Sequence, residues 1–307
     1  MEQKLLTAQE AAELLKVKKA TVYEMVKRGQ IPAVKIGKQV RIDRTDLERM
    51  LRPAGAKPTA VQAQQAVASQ EIPAGGIVLC GQDSCLNIIA NHVSSLHGAK
   101  PMLRSYAGSY NSLSLLYRDK VDIATSHLWD EESGSYNFPF ITRLLPGMPV
   151  VVVRLLGRHM GIYVRSGNPK GVVGIESLQG GQVSMVNREK GSGTRILLDE
   201  KLKALGVDRR SIPGYFREYN NHLSIAGAVA RGEADFGMGA ETAARQVDGV
   251  DFLPIQKEWY DLVFPAERET EPTFRLLMDY LTGNGFREEV AATGPYDLSQ
   301  TGKVFRL

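Results

Sequence analysis

The 307-residue chain has few of the residues that build disulfide frameworks, metal centres or catalytic triads. Cys80 and Cys85 are its only cysteines, and their spacing matches neither a CxxC motif nor a zinc-ligand pattern, so we expect two buried free thiols. The five histidines show no HxH or HExxH spacing, and the sequence has no Gly-x-Ser-x-Gly elbow and no phosphate loop. We therefore expect no metal site, no cofactor and no enzymatic activity.

Long hydrophobic segments are also missing. The longest apolar run, near residues 149–153, is far too short to span a bilayer. The first six residues contain no basic stretch that leads into an apolar segment, as a secretion signal would. The sequence predicts a cytoplasmic protein without membrane contact, and its length predicts two or three domains.

The positive charge is concentrated at one end of the chain. Residues 1–52 hold twelve Lys or Arg against seven Asp or Glu, whereas the remaining 255 residues hold 26 against 27. A local basic excess suits a polyanionic partner, because neutralising phosphates releases condensed counterions. This distribution favours a nucleic-acid-binding segment of about fifty residues, attached to a larger body of balanced charge.

The basic segment has the pattern of a small helical domain. Residues 7–10, Thr-Ala-Gln-Glu, have the form of a capping box, which predicts a helix start. Apolar residues at helical spacing predict two short helices, with a turn at 16–18 and an end at Gly29. Apolar and basic residues alternate over 33–42, which is typical of a hairpin, and Asp43 is placed to cap a third helix. We interpret residues 1–52 as a helix-turn-helix with a wing.

Residues 5–51 resemble the winged helix-turn-helix of the MerR and excisionase superfamily. The resemblance is carried by Thr-Val-Tyr at 21–23, Arg-Gly-Gln-Ile-Pro-Ala at 28–33 and Ile-Gly at 36–37. It implies that the second helix enters the major groove of operator DNA and that the wing touches the backbone or minor groove. It places Lys18, Lys19, Thr21 and Tyr23 near bases, and Lys27, Lys38 and Arg41 near phosphates. The alternative is that these charges form an ordinary solvated surface.

Residues 53–75 form a predicted linker. This segment contains Pro53, Pro58 and Pro73, and an Ala/Gln-rich stretch over 60–70 with few large apolar residues. Such a composition favours a flexible connection, although the Ala/Gln stretch could also form a short helix against a partner subunit.

The larger body, residues 76–307, alternates short apolar runs with helical patterns, which predicts α/β layers with parallel strands. Predicted strands lie at 77–80, 121–124, 150–153, 182–186, 234–237 and 252–255. Two segments share one order of residue types: Arg-Asp-Lys-Val-Asp-Ile-Ala at 118–124 and Arg-Gly-Glu-Ala-Asp-Phe-Gly at 231–237. Each follows an apolar helical pattern, so we predict two similar lobes whose strand ends face a common crevice.

The most specific chemical motif is Asn-Arg-Glu-Lys-Gly-Ser-Gly-Thr-Arg at 187–195, between a predicted strand and a predicted helix. Backbone amides at a helix start, together with nearby hydroxyls, favour an anion, and an arginine could add a bidentate contact. The candidate binding residues are Arg188, Ser192, Gly193, Thr194 and Arg195. The alternative is that Gly and Ser merely cap the helix.

The first lobe offers matching polar residues near its own predicted helix starts. Ser84, Ser109 and Asn111 could donate to a ligand held between the lobes, although such residues are more often simple helix caps. His127 follows the first repeat strand and could line the cleft, although a histidine hydrogen-bonded within the fold is the commoner outcome.

Residues 76–296 resemble the periplasmic-binding-protein-like domain of cytoplasmic regulators, which is related to molybdate- and tungstate-binding proteins. The resemblance implies a two-lobed type II fold and a tetrahedral oxyanion held by Arg188, Ser192, Gly193 and Thr194 on one side. It implies Ser84 and Ser109 on the other. Gln-Asp-Ser-Cys at 82–85 replaces the consecutive hydroxyl residues of dedicated tungstate binders, and Asp83 would repel a dianion unless it points away. An organic effector therefore stays open.

The sequence predicts a winged helix-turn-helix followed by an α/β ligand-binding domain, which together would form a ligand-responsive DNA-binding transcription regulator. The expected ligand is a small anion such as molybdate or tungstate. The expected partners are an operator and a second copy of the chain, as a homodimer. Two alternatives are a regulator that senses a small organic effector and an enzyme that its amino-terminal domain tethers to DNA.

The charge distribution predicts strongly salt-dependent DNA binding. Between 50 and 200 mM salt, operator affinity should fall by orders of magnitude, about 10³-fold or more if six or more phosphates are contacted. Fluorescence anisotropy with a labelled operator at graded salt measures this slope. An affinity that does not change with salt would contradict the predicted phosphate contacts.

Overall fold

The amino-terminal helix begins at the predicted capping box. In the computed structural model, which describes residues 5–15, 22, 34–36, 39–43 and 75–307, the Glu10 amide donates to Thr7 Oγ1 at 3.2 Å. The Thr7 amide donates in return to Glu10 Oε2 at 2.7 Å. Each side chain therefore satisfies a free amide at the start of helix α1 (Ala8–Leu15).

A three-stranded antiparallel sheet accompanies α1. Strand β1 (Leu5–Thr7) pairs with β3 (Gln39–Asp43), which also pairs with β2 (Val34–Ile36). The β2–β3 hairpin confirms the hairpin predicted over 33–42, whereas β1 was not predicted. The predicted second and third helices and the linker lie almost wholly outside the described residues.

The chain divides into two compact units, Met1–Ser69 and Gln70–Leu307, and the second unit contains the remaining elements. Three 3₁₀ helices lie at Ile175–Gly181, Arg209–Ser211 and Ala266–Thr270. The other described elements, in chain order, are β4 (Ile77–Cys80), α2 (Cys85–Ser95), β5 (Met102–Ser105), α3 (Ser109–Tyr117), β6 (Ala124–Ser126), β7 (Trp129–Asp130), β8 (Ser135–Tyr136), α4 (Phe138–Leu144), β9 (Val150–Arg165), β10 (Asn187–Arg188), α5 (Gly193–Ala204), β11 (Glu218–Tyr219), α6 (His222–Ala230), β12 (Gly237–Ala240), α7 (Glu241–Ala244), β13 (Val250–Pro265), α8 (Pro272–Thr282), α9 (Asn284–Ala291) and β14 (Val304–Arg306).

Strands β9 and β13 form one antiparallel ribbon of sixteen residues each, which runs through the whole second unit. One half of the ribbon carries β6 and β14 on its edges, and the other half carries β12. Register shifts at 254/256 and 260/261 lie on either side of the point where Arg158 is directly opposite Glu258. The ribbon therefore crosses between two lobes at that point.

Each lobe has its own apolar core. Lobe I, defined as residues 75–157 and 259–307, buries clusters around Leu79 and Leu113. Lobe II, residues 158–258, buries clusters around Leu198 and Ile225. Helices pack on a sheet in both lobes, so burial of apolar surface stabilises each lobe separately.

The two copies of the sequence repeat occupy equivalent positions. In lobe I, Asp122 accepts a hydrogen bond from the Val78 amide at 2.6 Å, and the Val78 carbonyl accepts the amides of Asp122 and Ile123. In lobe II, Asp235 accepts from the Ser184 amide at 3.0 Å, and the Ser184 carbonyl accepts the amides of Asp235 and Phe236. The prediction of two similar lobes is confirmed. In each lobe the repeat aspartate accepts a hydrogen bond from a backbone amide of the neighbouring segment.

The strand predictions are partly right. The parallel arrangement holds for β4 with β5 and for β10 with β11, but the long central ribbon is antiparallel. The predicted strands at 150–153 and 252–255 are short pieces of β9 and β13. Their full length was missed because charged residues and glycines interrupt the apolar pattern where the ribbon crosses between the lobes.

Cys80 and Cys85 are both buried free thiols, as predicted. Burial raises the pKa of both above the usual thiol value. Over the described ranges, the structure contains no helix that is both long enough and apolar enough to cross a membrane.

Replacing the repeat aspartate of lobe II should destabilise the protein. In Asp235→Ala, the amide and hydroxyl of Ser184 lose the carboxylate that accepts from them. The free energy of unfolding should therefore fall by roughly 1–3 kcal/mol, measured by denaturant titration. Asp248→Ala, at an exposed position in the same lobe, is the control and should be nearly neutral. Equal effects of the two substitutions would contradict the structural role of Asp235.

Candidate functional site

A cavity of about 260 Å³ lies between the lobes beside the crossing point of the ribbon. Both lobes contribute to its wall, so a molecule inside it would contact both at once. The lining residues are Gln82, Asp83, Ser84, His127, Tyr260, Thr293 and Tyr296 from lobe I, and Arg158, His222, Leu223, Thr242, Ala243 and Gln246 from lobe II.

Arg158 is the central charge of this wall. Its Nε donates to Glu258 Oε1 at 2.5 Å, and its Nη1 contacts the carboxylate of Asp83. Asp83 also accepts from the Cys85 amide at 2.8 Å, so this carboxylate is held at the start of α2. Nη2 of Arg158 has no hydrogen-bond partner among the described residues. That group can therefore donate to a molecule in the cavity.

Glu258 connects Arg158 to His127. It is 1% exposed, and its second oxygen lies 3.0 Å from His127 Nδ1. Burial alone would raise the pKa of Glu258, but the charges of Arg158 and His127 outweigh burial and hold this pKa below its usual value. The carboxylate orients the imidazole, whose Nε2 has no partner within the described ranges.

His222 faces Arg188 on the lobe II side of the cavity. Nη1 of Arg188 lies 3.4 Å from Nδ1 and 3.5 Å from Nε2 of the His222 ring. Burial, together with the charges of Arg188, Arg158 and His127, holds the pKa of His222 well below its usual 6.5. The imidazole is therefore neutral near pH 7 and has a nitrogen able to accept a hydrogen bond.

The glycine-rich motif forms a contact between the lobes. The Tyr110 amide donates to the Gly191 carbonyl at 3.0 Å, and Asn111 Nδ2 donates to the Lys190 carbonyl at 3.3 Å. A Cβ at Gly108 would meet the Gly191 carbonyl oxygen at 2.6 Å, so this close approach depends on glycine. The motif residues thus pack on the start of α3.

The predicted site residues separate into three groups. Ser84 and His127 line the cavity. Asn111, Ser192 and Gly193 lie in the contact between the lobes, and Ser109 Oγ accepts from the His127 amide at 3.2 Å. Arg188 lies directly behind the cavity wall, while Arg195 turns into lobe II and donates to the Arg188 carbonyl at 2.9 Å and to Tyr215 Oη at 3.2 Å.

Two hydroxyls of the motif differ in their contacts. Ser192 Oγ accepts from the Arg195 amide at 3.3 Å and so caps α5, which was the alternative interpretation of the motif. Thr194 Oγ1 is buried and has no hydrogen-bond partner among the described residues.

Of the predicted DNA-binding residues, six lie outside the described residues: Lys18, Lys19, Thr21, Tyr23, Lys27 and Lys38. Arg41 lies in β3, in the wing hairpin. Their proposed DNA contacts remain predictions.

The sequence analysis missed Arg158, Glu258 and Tyr260. All three lie on the long ribbon, which was predicted only as short apolar strands. A usable signal was present: Arg158 lies in a run over 150–164 that is otherwise rich in apolar residues, and a buried charge of that kind needs a partner.

Two family models match the chain. The model of the PBP superfamily domain matches residues 90–282, and a helix-turn-helix domain matches residues 5–54. This chain belongs to the PBP superfamily. A Bacillus subtilis relative, "Uncharacterized protein YvgK", is 38% identical over 306 residues, which cover 97% of this chain and 96% of the relative. The PBP-superfamily chain therefore matches that relative over nearly all of its length.

Solved structures show the same fold. An ABC-type phosphate transport receptor from Vibrio cholerae has a TM-score of 0.50 and 17% identity, covering 72% of this chain and 99% of the receptor. The CcmR regulatory domain of Synechocystis PCC6803, solved in complex with 2-PG, has a TM-score of 0.50 and 14% identity, covering 67% of this chain and 95% of that domain. The predicted fold class, a helix-turn-helix followed by a type II PBP-like α/β domain, is confirmed.

A helix-turn-helix domain joined to an effector-binding PBP-like domain is the organisation of a ligand-responsive DNA-binding regulator. The PBP-superfamily chain thus combines a DNA-binding domain with a domain that binds small ligands.

His222 should make the protein less stable in mild acid. Because its folded pKa lies below 6.5, the unfolded chain takes up a proton that the folded chain does not, and stability falls as pH drops below 6.5. His222→Gln should remove this contribution, which is at most about 1.4 kcal/mol per pH unit. Denaturant titrations between pH 7 and pH 5 measure it.

The control is His97→Gln, which makes the same substitution at an exposed position outside the cavity lining. An unchanged slope in His222→Gln would show that this imidazole is not held neutral by its surroundings.

Proposed function

We propose that this PBP-superfamily chain is a transcription regulator that binds a small organic effector between its two lobes. The observation that carries the proposal is the cavity of about 260 Å³ shared by both lobes. This volume lies just below the roughly 300–1,000 Å³ typical of small-molecule sites, so it suits a small effector. The proposed role involves no covalent chemistry, and DNA binding implies a cytoplasmic location.

The lining supports an effector with both carbon surface and an acceptor group. Leu223, Ala243, Tyr260 and Tyr296 offer apolar or aromatic surface. Nη2 of Arg158 offers one charge-assisted donor at a fixed position, because the other guanidinium nitrogens are anchored by carboxylates. A small molecule with a neutral acceptor such as a carbonyl group fits this combination, because Asp83 and Glu258 already balance the charge of Arg158.

A second candidate ligand is a tetrahedral oxyanion such as molybdate or tungstate. The buried Thr194 hydroxyl, which has no partner within the described part of the chain, favours it, because it belongs to the motif and lies at the start of α5. The fold shared with a phosphate transport receptor is consistent with such a ligand. Both candidates assign the same regulatory role to the protein and differ only in the effector.

Regulation requires that the effector bind one arrangement of the lobes more tightly than another, since only a difference in affinity can shift the equilibrium. We propose that the regulator is a homodimer on a palindromic operator, and that the arrangement of the lobes sets the spacing of its two DNA-binding domains.

Blocking the cavity should abolish the response to effector and leave operator binding intact. Ser84 is exposed and lines the cavity, so the Phe side chain in Ser84→Phe can enter it. The effector is first identified by mass spectrometry of small molecules released from purified wild-type protein. An effector at 100 times its dissociation constant should add about 2.7 kcal/mol to wild-type stability and little to the variant.

Ser95→Phe is the matched control. Ser84 immediately precedes α2, and Ser95 is exposed at the opposite end of that helix, away from the cavity lining. It should respond like the wild type in both thermal stability and operator binding. A full response of Ser84→Phe would place the effector elsewhere. Stabilisation by molybdate or tungstate alone, with no organic compound released, would favour the oxyanion.

A further inference from the structure

Arg188, the arginine of the glycine-rich motif, is already paired with a carboxylate of the protein. The side chain is 2% exposed. Its Nε donates to Glu189 Oε2 at 2.8 Å, and its Nη2 donates to Glu189 Oε1 at 2.9 Å. These are two parallel charge-assisted hydrogen bonds, which is the same arrangement that an arginine uses to hold an oxyanion.

Gln82 completes the arrangement from lobe I. Its Oε1 accepts from Arg188 Nη2 at 2.6 Å, and its Nε2 donates to Glu189 Oε1 at 3.0 Å. Gln82 also lines the cavity, so the Arg188–Glu189 pair lies immediately behind the cavity wall. The neutral amide contacts both charges and separates them from the cavity.

The other contacts of the Arg188 guanidinium leave no two neighbouring nitrogens free to bind an oxyanion. Nη1 faces the His222 ring, and Nη2 makes a further contact with the Asn220 carbonyl at 3.1 Å. A free oxyanion would therefore have to displace Glu189 to gain bidentate contact with Arg188. Because Glu189 is the adjacent residue, its carboxylate competes at a high effective concentration, and its negative charge also repels an approaching dianion.

We propose that Glu189 is a specificity-determining residue, which occupies Arg188 and thereby excludes free tetrahedral oxyanions from this site. The effector is consequently an organic molecule held in the cavity by Arg158 and its neighbours. This inference rests on the proposed function, since it assigns the ligand class of the same site.

Removing the carboxylate should create an oxyanion site. In the full-length chain, Glu189→Gln should bind molybdate and inorganic phosphate about tenfold or more tightly than the wild type, measured by isothermal titration calorimetry at fixed ionic strength. Glu200→Gln is the matched control: it removes the same charge from lobe II at a residue without a side-chain partner among the described residues. It should leave both affinities unchanged.

Two further variants keep the test decisive. Glu189→Ser removes the carboxylate and also leaves space, so it should show the same gain and serves if Glu189→Gln folds poorly. The double variant Gln82→Glu with Glu189→Gln returns a carboxylate to Arg188 from lobe I, and its molybdate affinity should return to the wild-type level.

Folded Glu189→Gln and Glu189→Ser proteins that bind neither probe more tightly than the wild type would overturn the inference. The inference would also be overturned if the wild type bound molybdate as tightly as the variants do. In that case the protein would still be a ligand-responsive regulator, with an oxyanion as its effector. The regulatory proposal fails on a different result: operator binding that stays the same when the compounds released from the purified protein are added.

Discussion

The ion pair between Arg158 and Glu258 fixes the point where the two lobes meet. The two residues are directly opposite each other on neighbouring strands, and both are almost fully buried. A buried charge that loses its partner costs several kcal/mol, so each residue requires the other. Asp83 and His127 join the same network from lobe I, which places the start of α2 and the loop after β6 around one guanidinium. The cavity wall depends on this cluster.

The sequence contained enough information for the architecture but not for its central element. The capping box at Thr7 is a local signal, since its two residues are three positions apart. Asp122 and Asp235 bond residues 44 and 51 positions away, but they were recognisable because their segments repeat in the sequence. The β9–β13 ribbon pairs residues about a hundred positions apart, and its pattern is broken at the crossing. A pairing of that range leaves no local periodicity from which it could be predicted.

The residues of the candidate site, like the elements of the fold, were only partly predictable from the sequence. Ser84 and His127 were predicted because hydroxyls and histidines near strand ends are recognisable, and they do line the cavity. Arg188 was predicted as an anion ligand, yet the structure pairs it with its own neighbour Glu189. That contact is a matter of side-chain direction at adjacent positions, which sequence spacing does not specify. Arg158 was missed because its partners Asp83 and Glu258 lie 75 and 100 positions away in the chain.

The path of the chain through the lobes has a consequence for biosynthesis. Lobe II is a single continuous stretch, whereas lobe I needs both the segment before it and the final fifty or so residues, including β14, which pairs with β9. On the ribosome, lobe II can therefore complete its core while lobe I still lacks α8, α9 and β14. Until β14 emerges, the edge of β9 that it covers stays unpaired and open to wrong pairing. Pairing with β14 therefore protects this edge from aggregation only late in synthesis.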